Sequence, residues 1–233
     1  MRLLIVAADP MEFSRWDSLE PVRAKALPPN LDWVRAARLN GHEVLLAANG
    51  AGAARAAAAV DAALAVFPAD AVLSTGFCGA LEPQLAVADV VVATCVAGPD
   101  RRRYPALPVS SAAPFHTGPI RSLDHVAQTA EEKRRLHAAG AAAVEMEAAG
   151  VAAHAHSRGL PFYCVRTVTD LAGETMANDF NSALRPDGHF DTMIILRNIL
   201  RHPLARLPEL ARLRNRCIRA SRALGDFLGD CRF

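Results

Sequence analysis

A chain of 233 residues suits one α/β domain with a short appendage. Its 52% hydrophobic content, without any polar low-complexity tract, excludes a disordered protein. A formal net charge of +2 is too small to imply a nucleic-acid partner by balance alone, although residues 197–233 are rich in arginine and poor in acids.

Residues 3–8 form a continuous apolar run, a first buried strand, which ends at Asp9-Pro10 with Glu12 just beyond. That run is too short for a signal-peptide core, and no stretch approaches the roughly 20 apolar residues needed to span a bilayer, so a soluble, cytoplasmic protein is expected. Residues 42–48 (HEVLLAA) read as a second strand, followed by the glycine turn Asn49-Gly50-Ala51-Gly52 and an Ala-rich helix over 53–67 that Pro68 stops. Gly50-x-Gly52 before a helix fits either a phosphate cradle or a plain tight turn; it lacks the third glycine of a dinucleotide fingerprint. Residues 71–75 form a third strand running into Gly76-Phe77-Cys78-Gly79, where two glycines permit either a bend or close backbone approach to a ligand. A β-branched strand follows over 87–96. Residues 97–119, rich in Pro, Arg and Ser, read as a long loop.

Helices are expected over about 129–139 and 144–158, closed by Gly140 and by Gly159-Leu160-Pro161. A strong strand over 162–168 ends at Thr169-Asp170. The order implies α/β class, with a central mixed, mostly parallel sheet flanked by helices in a single domain over 1–195, and a basic C-terminal helical extension over 196–233 packed on it. In that extension Leu210, Leu213, Cys217, Ala220, Leu224 and Leu228 make an apolar helical stripe, with Arg212, Arg216 and Arg219 on another face. Packing against the core or a partner subunit, or lying on an anionic membrane surface, would each use such a stripe.

Glu12, the 76–79 segment and Asp170 all fall at strand ends, the edge where open α/β sheets bind ligands. Glu145-Met146-Glu147 places two carboxylates in an Ala-rich run that otherwise reads as buried. A buried carboxylate needs partners, which ligand hydroxyls would supply; a surface helix start is the plainer alternative. Asp170 is equally readable as a turn or capping residue, and Glu12 as an ordinary first-turn acid. His116 and His125 carry no distinguishing pattern. Cys78, Cys95, Cys164, Cys217 and Cys231 form no CxxC pair and no zinc-ligand spacing, so they read as free thiols in a reducing compartment, with no metal.

Taken together these segments resemble the nucleoside phosphorylase-I superfamily, most closely its methylthioadenosine/S-adenosylhomocysteine nucleosidase branch. NGAGAARAAAAV is similar to that family's glycine-turn segment, STGFCGALEPQLAVADVVVA to its strand-turn-strand, AVEMEAAGVA to its ribose-binding motif and VRTVTDLAG to the motif bearing its acid. The resemblance implies cleavage of a purine nucleoside, a 5′-substituted adenosine, at its N-glycosidic bond, without cofactor. It implies Asp170 as the acid that protonates the leaving base, and Glu12 as the group that activates water. Glu147 would bind ribose hydroxyls beside Glu145, over Met146. Phe77, Cys78 and Gly79 would line the pocket, and Val126 and Ala127 would sit in the base-holding loop over 122–127. Carboxylates near the sugar stabilise its oxocarbenium-like charge, and Asp170 must carry a proton when it acts, a form that burial favours.

Departures are visible: Phe77 stands where the hydrolases carry a small residue, Val126 replaces an aromatic, and Ala88 replaces a glycine. The family resemblance also implies a homodimer. A second resemblance, of residues 123–147 and 185–224, is to hopanoid-associated nucleoside phosphorylases, which act on adenosylhopane. Phosphate as the nucleophile would need a cation, for which Arg101, Arg102 and Arg103 are candidates; a solvated turn is the other reading of that run.

Overall fold

The computed structural model describes residues 1–16, 19–21, 27–28 and 30–233. Among the described residues nine strands form one sheet: β1 (Arg2–Ala7), β2 (Trp33–Leu39), β3 (His42–Ala48), β4 (Ala71–Ala80), β5 (Val90–Ala97), β6 (Arg103–Pro105), β7 (His116–Ser122), β8 (Ala143–Glu145) and β9 (Phe162–Asp170). The order is β2-β3-β1-β4-β8-β7-β5-β6, and β9 pairs with both β4 and β5. Among the described residues five pairings are parallel and four antiparallel. The sheet is therefore mixed, and the ring β4-β8-β7-β5-β9 closes one end of it.

Several sequence expectations are corrected in detail. Trp33–Leu39 is a strand that pairs antiparallel with β3; its Arg and Ala content weakens the usual strand signature. The glycine-bearing 76–79 segment is not a turn after a strand, because β4 continues to Ala80 with a register shift between Cys78 and Gly79. Residues 97–119 include β6 and the start of β7. Val144 and Glu145 belong to β8 rather than to a helix, which begins only at Ala148.

The described residues also form the α-helices α1 (Ala53–Leu64), α2 (Ala130–Ala138), α3 (Ala148–Ser157), α4 (Thr192–Arg201) and α5 (Pro203–Asp230). The two-residue period of β1 sends Leu4 and Val6 to one face, with Ala56, Val60, Val151 and Ala152 of α1 and α3. It sends Leu3, Ile5 and Ala7 to the other, with Phe13, Trp16, Leu224, Phe227 and Leu228. Full burial of each leucine, isoleucine or valine among them contributes roughly 1.5–3 kcal/mol. The small residues of α1 and α3 let these helices meet closely: a side chain at Gly150 would overlap the carbonyl of Ala53.

The sequence left two roles for the α5 stripe, and the structure turns it inward. Ala220, Leu224 and Leu228 are buried, and Leu213 and Cys217 face a cavity. Trp16 Nε1 donates to Gly225 O at 3.2 Å, and the Ser221 hydroxyl donates to Met11 O at 2.7 Å. α5 thereby clamps the short 3-10 helix Pro10–Trp16 that follows β1. Among the described residues no helix is long and apolar enough to cross a membrane.

Candidate active site

One cavity of about 380 Å³ lies over the carboxyl ends of β1 and β9 and the distal part of β4. All ten residues singled out from the sequence line it: Glu12 and Asp170, then Phe77, Cys78 and Gly79 of β4, then Val126 and Ala127, and finally Glu145, Met146 and Glu147. Residues separated by 158 positions meet there because parallel strands end on one edge of the sheet.

Glu12 is 6% exposed, so the chain must satisfy its carboxylate locally. Oε2 accepts from the backbone N–H of Ala8 at 2.8 Å and of Asp9 at 3.0 Å, and Oε1 accepts from Phe77 N at 2.7 Å. Burial raises its pKa above the ordinary carboxylate value, opposed by these bonds and by the charge of Arg166. Gly76, at φ +131°, leaves room for this approach: a Cβ there would lie 2.8 Å from Arg166 Nη1 and would collide with the Glu12 carboxylate.

The two carboxylates around Met146 have different roles. Glu145 Oε2 accepts from Glu147 N (2.9 Å), Ala148 N (2.8 Å) and Arg166 Nη2 (2.5 Å), so it both closes the start of α3 and carries an ion pair. Its Oε1 is buried without a partner among the described residues. Glu147 Oε1 accepts from Gly52 N at 3.0 Å, which gives the glycine turn before α1 a purpose: it delivers an N–H to a cavity acid. Burial, followed by the charge of Glu145, raises the Glu147 pKa to about 7. The surface-helix alternative for these acids is set aside by their exposures of 6% and 7%.

Two basic residues that sequence reading passed over organise the acids. Arg166 is fully buried on β9, and its Nη2 also donates to Ser74 Oγ at 2.8 Å, while Nη1 donates to Thr75 O. Burial works against its charge, but Glu145, Glu147 and Glu12 together hold its pKa above the usual guanidinium value. An arginine inside the apolar run FYCVRTV was the available signal. Lys133 of α2 is the second: it has no exposed surface, and its Nζ donates to Asp170 Oδ2 and, at 2.9 Å, to Leu171 O. Thr169 Oγ1 donates to Asp170 Oδ1 at 3.0 Å. Lys133 and Asp170 thus form a buried ion pair at the end of β9. Lys133 gave little signal, lying in the charged segment AEEKRRLHA, although Ala130 and Leu136 at i−3 and i+3 mark the inward face it shares.

Apart from Asp9, His125 and Thr169, the remaining lining is apolar. Phe77, Met146, Met176, Phe180, Ile195 and Leu213 surround the acids, and burial raises the Cys78 thiol pKa well above normal. Asn181 holds the Val126 backbone from both sides, its Oδ1 accepting from Val126 N at 2.8 Å and its Nδ2 donating to Val126 O at 2.9 Å. His125 lies at the rim between Asp124 and Glu132, and His116 pairs with Asp89 away from the cavity. Arg101, Arg102 and Arg103 are exposed around the β5–β6 connection and do not line the cavity; Arg102 pairs with Asp100 and Arg103 donates to Cys95 Sγ. Among the described residues no three His, Cys, Asp or Glu side chains gather as a metal site.

A mixed α/β sheet with buried acids gathered around one cavity at its strand ends has the layout of a small-molecule site. The chain belongs to the phosphorylase superfamily, whose family model matches residues 3–187. A 5′-methylthioadenosine/S-adenosylhomocysteine nucleosidase of Staphylococcus saprophyticus is 28% identical over 190 residues, covering 70% of this chain and 83% of the relative. The nucleosidase of the same name from Chromohalobacter salexigens is 26% identical over 189 residues, 67% of this chain and 79% of the relative. Among solved structures, the Helicobacter pylori nucleosidase of that name, complexed with a substituted pyrrolidinol, superposes with a TM-score of 0.71 at 17% identity, covering 98% of this chain and 96% of the other. Futalosine hydrolase of Helicobacter pylori gives 0.71 at 17% identity, with 98% and 95% covered.

Proposed function

We propose that this chain hydrolyses the N-glycosidic bond of a purine nucleoside, a 5′-substituted adenosine or a close analogue. The carrying observation is the convergence of Glu12, Glu147 and Asp170 on one cavity large enough for a nucleoside. Asp170, whose carboxylate pairs with Lys133, takes up a proton with the incoming nucleoside, passes it to the departing base as the carbon–nitrogen bond breaks, and returns to its ion pair with Lys133. Glu12 takes a proton from the water that forms the new carbon–oxygen bond. Glu147 accepts hydrogen bonds from the ribose hydroxyls, and the acids together stabilise the positive charge that develops on the sugar. The names of the relatives, nucleosidases of methylthioadenosine and adenosylhomocysteine, support this substrate class.

Charge balance favours water over phosphate. Arg166 already faces three carboxylates, so a phosphate dianion beside Glu12 would meet surplus negative charge. An adjoining cavity of about 530 Å³, across Gly52 and Met146, holds Arg55 and Arg185, but these pair with Asp32 and Asp187. Methylthioadenosine, adenosylhomocysteine, inosine and futalosine, each incubated with and without phosphate, decide the matter. Hydrolysis releases free base in both conditions. Release only with phosphate would replace it by phosphorolysis, the activity of the hopanoid-associated phosphorylases that two segments resemble, with adenosylhopane as the further substrate to try. No release from any nucleoside would leave a non-catalytic nucleoside-binding protein. Asp170→Asn is expected to lower turnover by about 10²- to 10⁴-fold with the fold retained. A homodimer, implied by the family resemblance, belongs to the same reading and is checked by light scattering.

A further inference from the structure

The segment that walls the cavity also carries the most exposed apolar surface of the described chain. Met193 is 72% exposed, Leu196 47%, Leu200 71%, Leu204 93% and Leu207 58%. At helical spacing Met193, Leu196 and Leu200 share one side of α4, and Leu204 and Leu207 continue from it into the first turns of α5. Ile195, on another side of α4, lines the cavity, as does Phe190 just before the helix, itself 40% exposed. Large exposed aliphatics in such a row mark a contact surface rather than ordinary surface scatter.

The charge around this ridge identifies what covers it. Residues 191–207, which span the ridge, contain three arginines, Arg197, Arg201 and Arg206, and one acidic residue, Asp191, which caps α4. Arg206 is used internally, donating to Ala177 O and Asn198 O, and Arg216 pairs with Glu174. Arg197 and Arg201 flank the α4 leucines, are exposed, and form no ion pair among the described residues. A second copy of this chain meeting the ridge across a two-fold axis would bring the same arginine surplus against itself. An anionic bilayer surface satisfies both parts, since acyl chains receive the leucines while lipid phosphates meet the guanidinium groups.

We infer that the α4–α5 corner docks on anionic membrane surfaces, with the mouth of the cavity beside the lipid. The docking face is thus not the inward stripe of α5 but the outer side of α4. Docking rests on the nucleoside-cleaving reading only for its purpose, which would be access to nucleosides bearing an apolar group. The test reads the two separately.

The full-length protein is mixed with vesicles of phosphatidylcholine alone, or with about one third phosphatidylglycerol, and floated on a density gradient. It is expected to rise with the anionic vesicles and to be released by salt. The triple variant Leu196→Ser/Leu200→Ser/Leu204→Ser, with an unchanged circular-dichroism melt and unchanged turnover of soluble nucleoside, should partition about 10-fold less or weaker still. Arg197→Glu/Arg201→Glu provides an independent variant and should lose the preference for anionic lipid. Failure of the wild type to float, or equal flotation of the variants, overturns the inference. So does a wild-type dimer that the triple variant converts to monomer without any vesicle binding, which would assign the ridge to contact between copies. Loss of turnover with flotation intact would instead strike the functional reading.

Discussion

Removing the buried ammonium beside Asp170 perturbs the site most sharply. Lys133 is wholly inside the protein and Asp170 is 9% exposed, so neither charge has water as an alternative partner. Losing one member of such a pair typically costs about 3–5 kcal/mol, because the other charge stays buried and uncompensated, whereas replacing both by neutral groups costs far less. Lys133→Met should therefore destabilise the protein by about 3–5 kcal/mol, and the double variant Lys133→Met/Asp170→Asn should recover about 2 kcal/mol or more of the additive sum. Urea unfolding of the wild type, both single variants and the double variant, all at pH 7, gives the coupling directly. Additivity within about 0.5 kcal/mol would refute the pairing and remove Lys133 from the site.

Two other perturbations follow from the geometry. A Cβ at Gly79 would lie 2.8 Å from Asp170 Oδ2, the oxygen that also holds Lys133, so Gly79→Ala should push that carboxylate aside, lower kcat by about 10²-fold, as a displacement of about 1 Å can, and lower the melting temperature as well; unaltered kcat would show that Asp170 need not sit where it does. For Glu147, the folded-state pKa of about 7 lies above the ordinary 4.5, so between those values the native state holds the extra proton. Its stabilising contribution is complete below about pH 4.5, declines as pH rises, and is lost through pH 7, a change of about 3 kcal/mol. Glu174, held down to about 2 by hydrogen bonding to Arg216, acts only below that window. Urea unfolding at pH 5 and 7 should show a steeper decline in the wild type than in Glu147→Gln, which keeps only the contribution of the raised Glu12; equal slopes would refute the assignment.

The acids were legible because each sits at odds with its neighbours: Glu145 and Glu147 interrupt an Ala-rich run, and Asp170 ends an apolar strand. What the linear chain conceals is pairing. Arg166 meets Glu145 across 21 positions and Lys133 meets Asp170 across 37, and neither arginine nor lysine announces a buried carboxylate partner. The boundary near residue 146 was misjudged because AVEMEAAGVA has good helix formers throughout; pairing of Ala143 and Val144 with β4 overrides that propensity. Orientation was equally hidden. TMIILRNILR reads as a helix with an apolar side, and only its placement reveals that Met193, Leu196 and Leu200 face solvent.

The identity of the nucleophile tests the chemistry most directly. Turnover of a cleavable nucleoside in water enriched with oxygen-18, in the presence of phosphate, should yield free base and a sugar carrying one heavy oxygen at its anomeric carbon. A sugar 1-phosphate without the label would contradict water activation by Glu12.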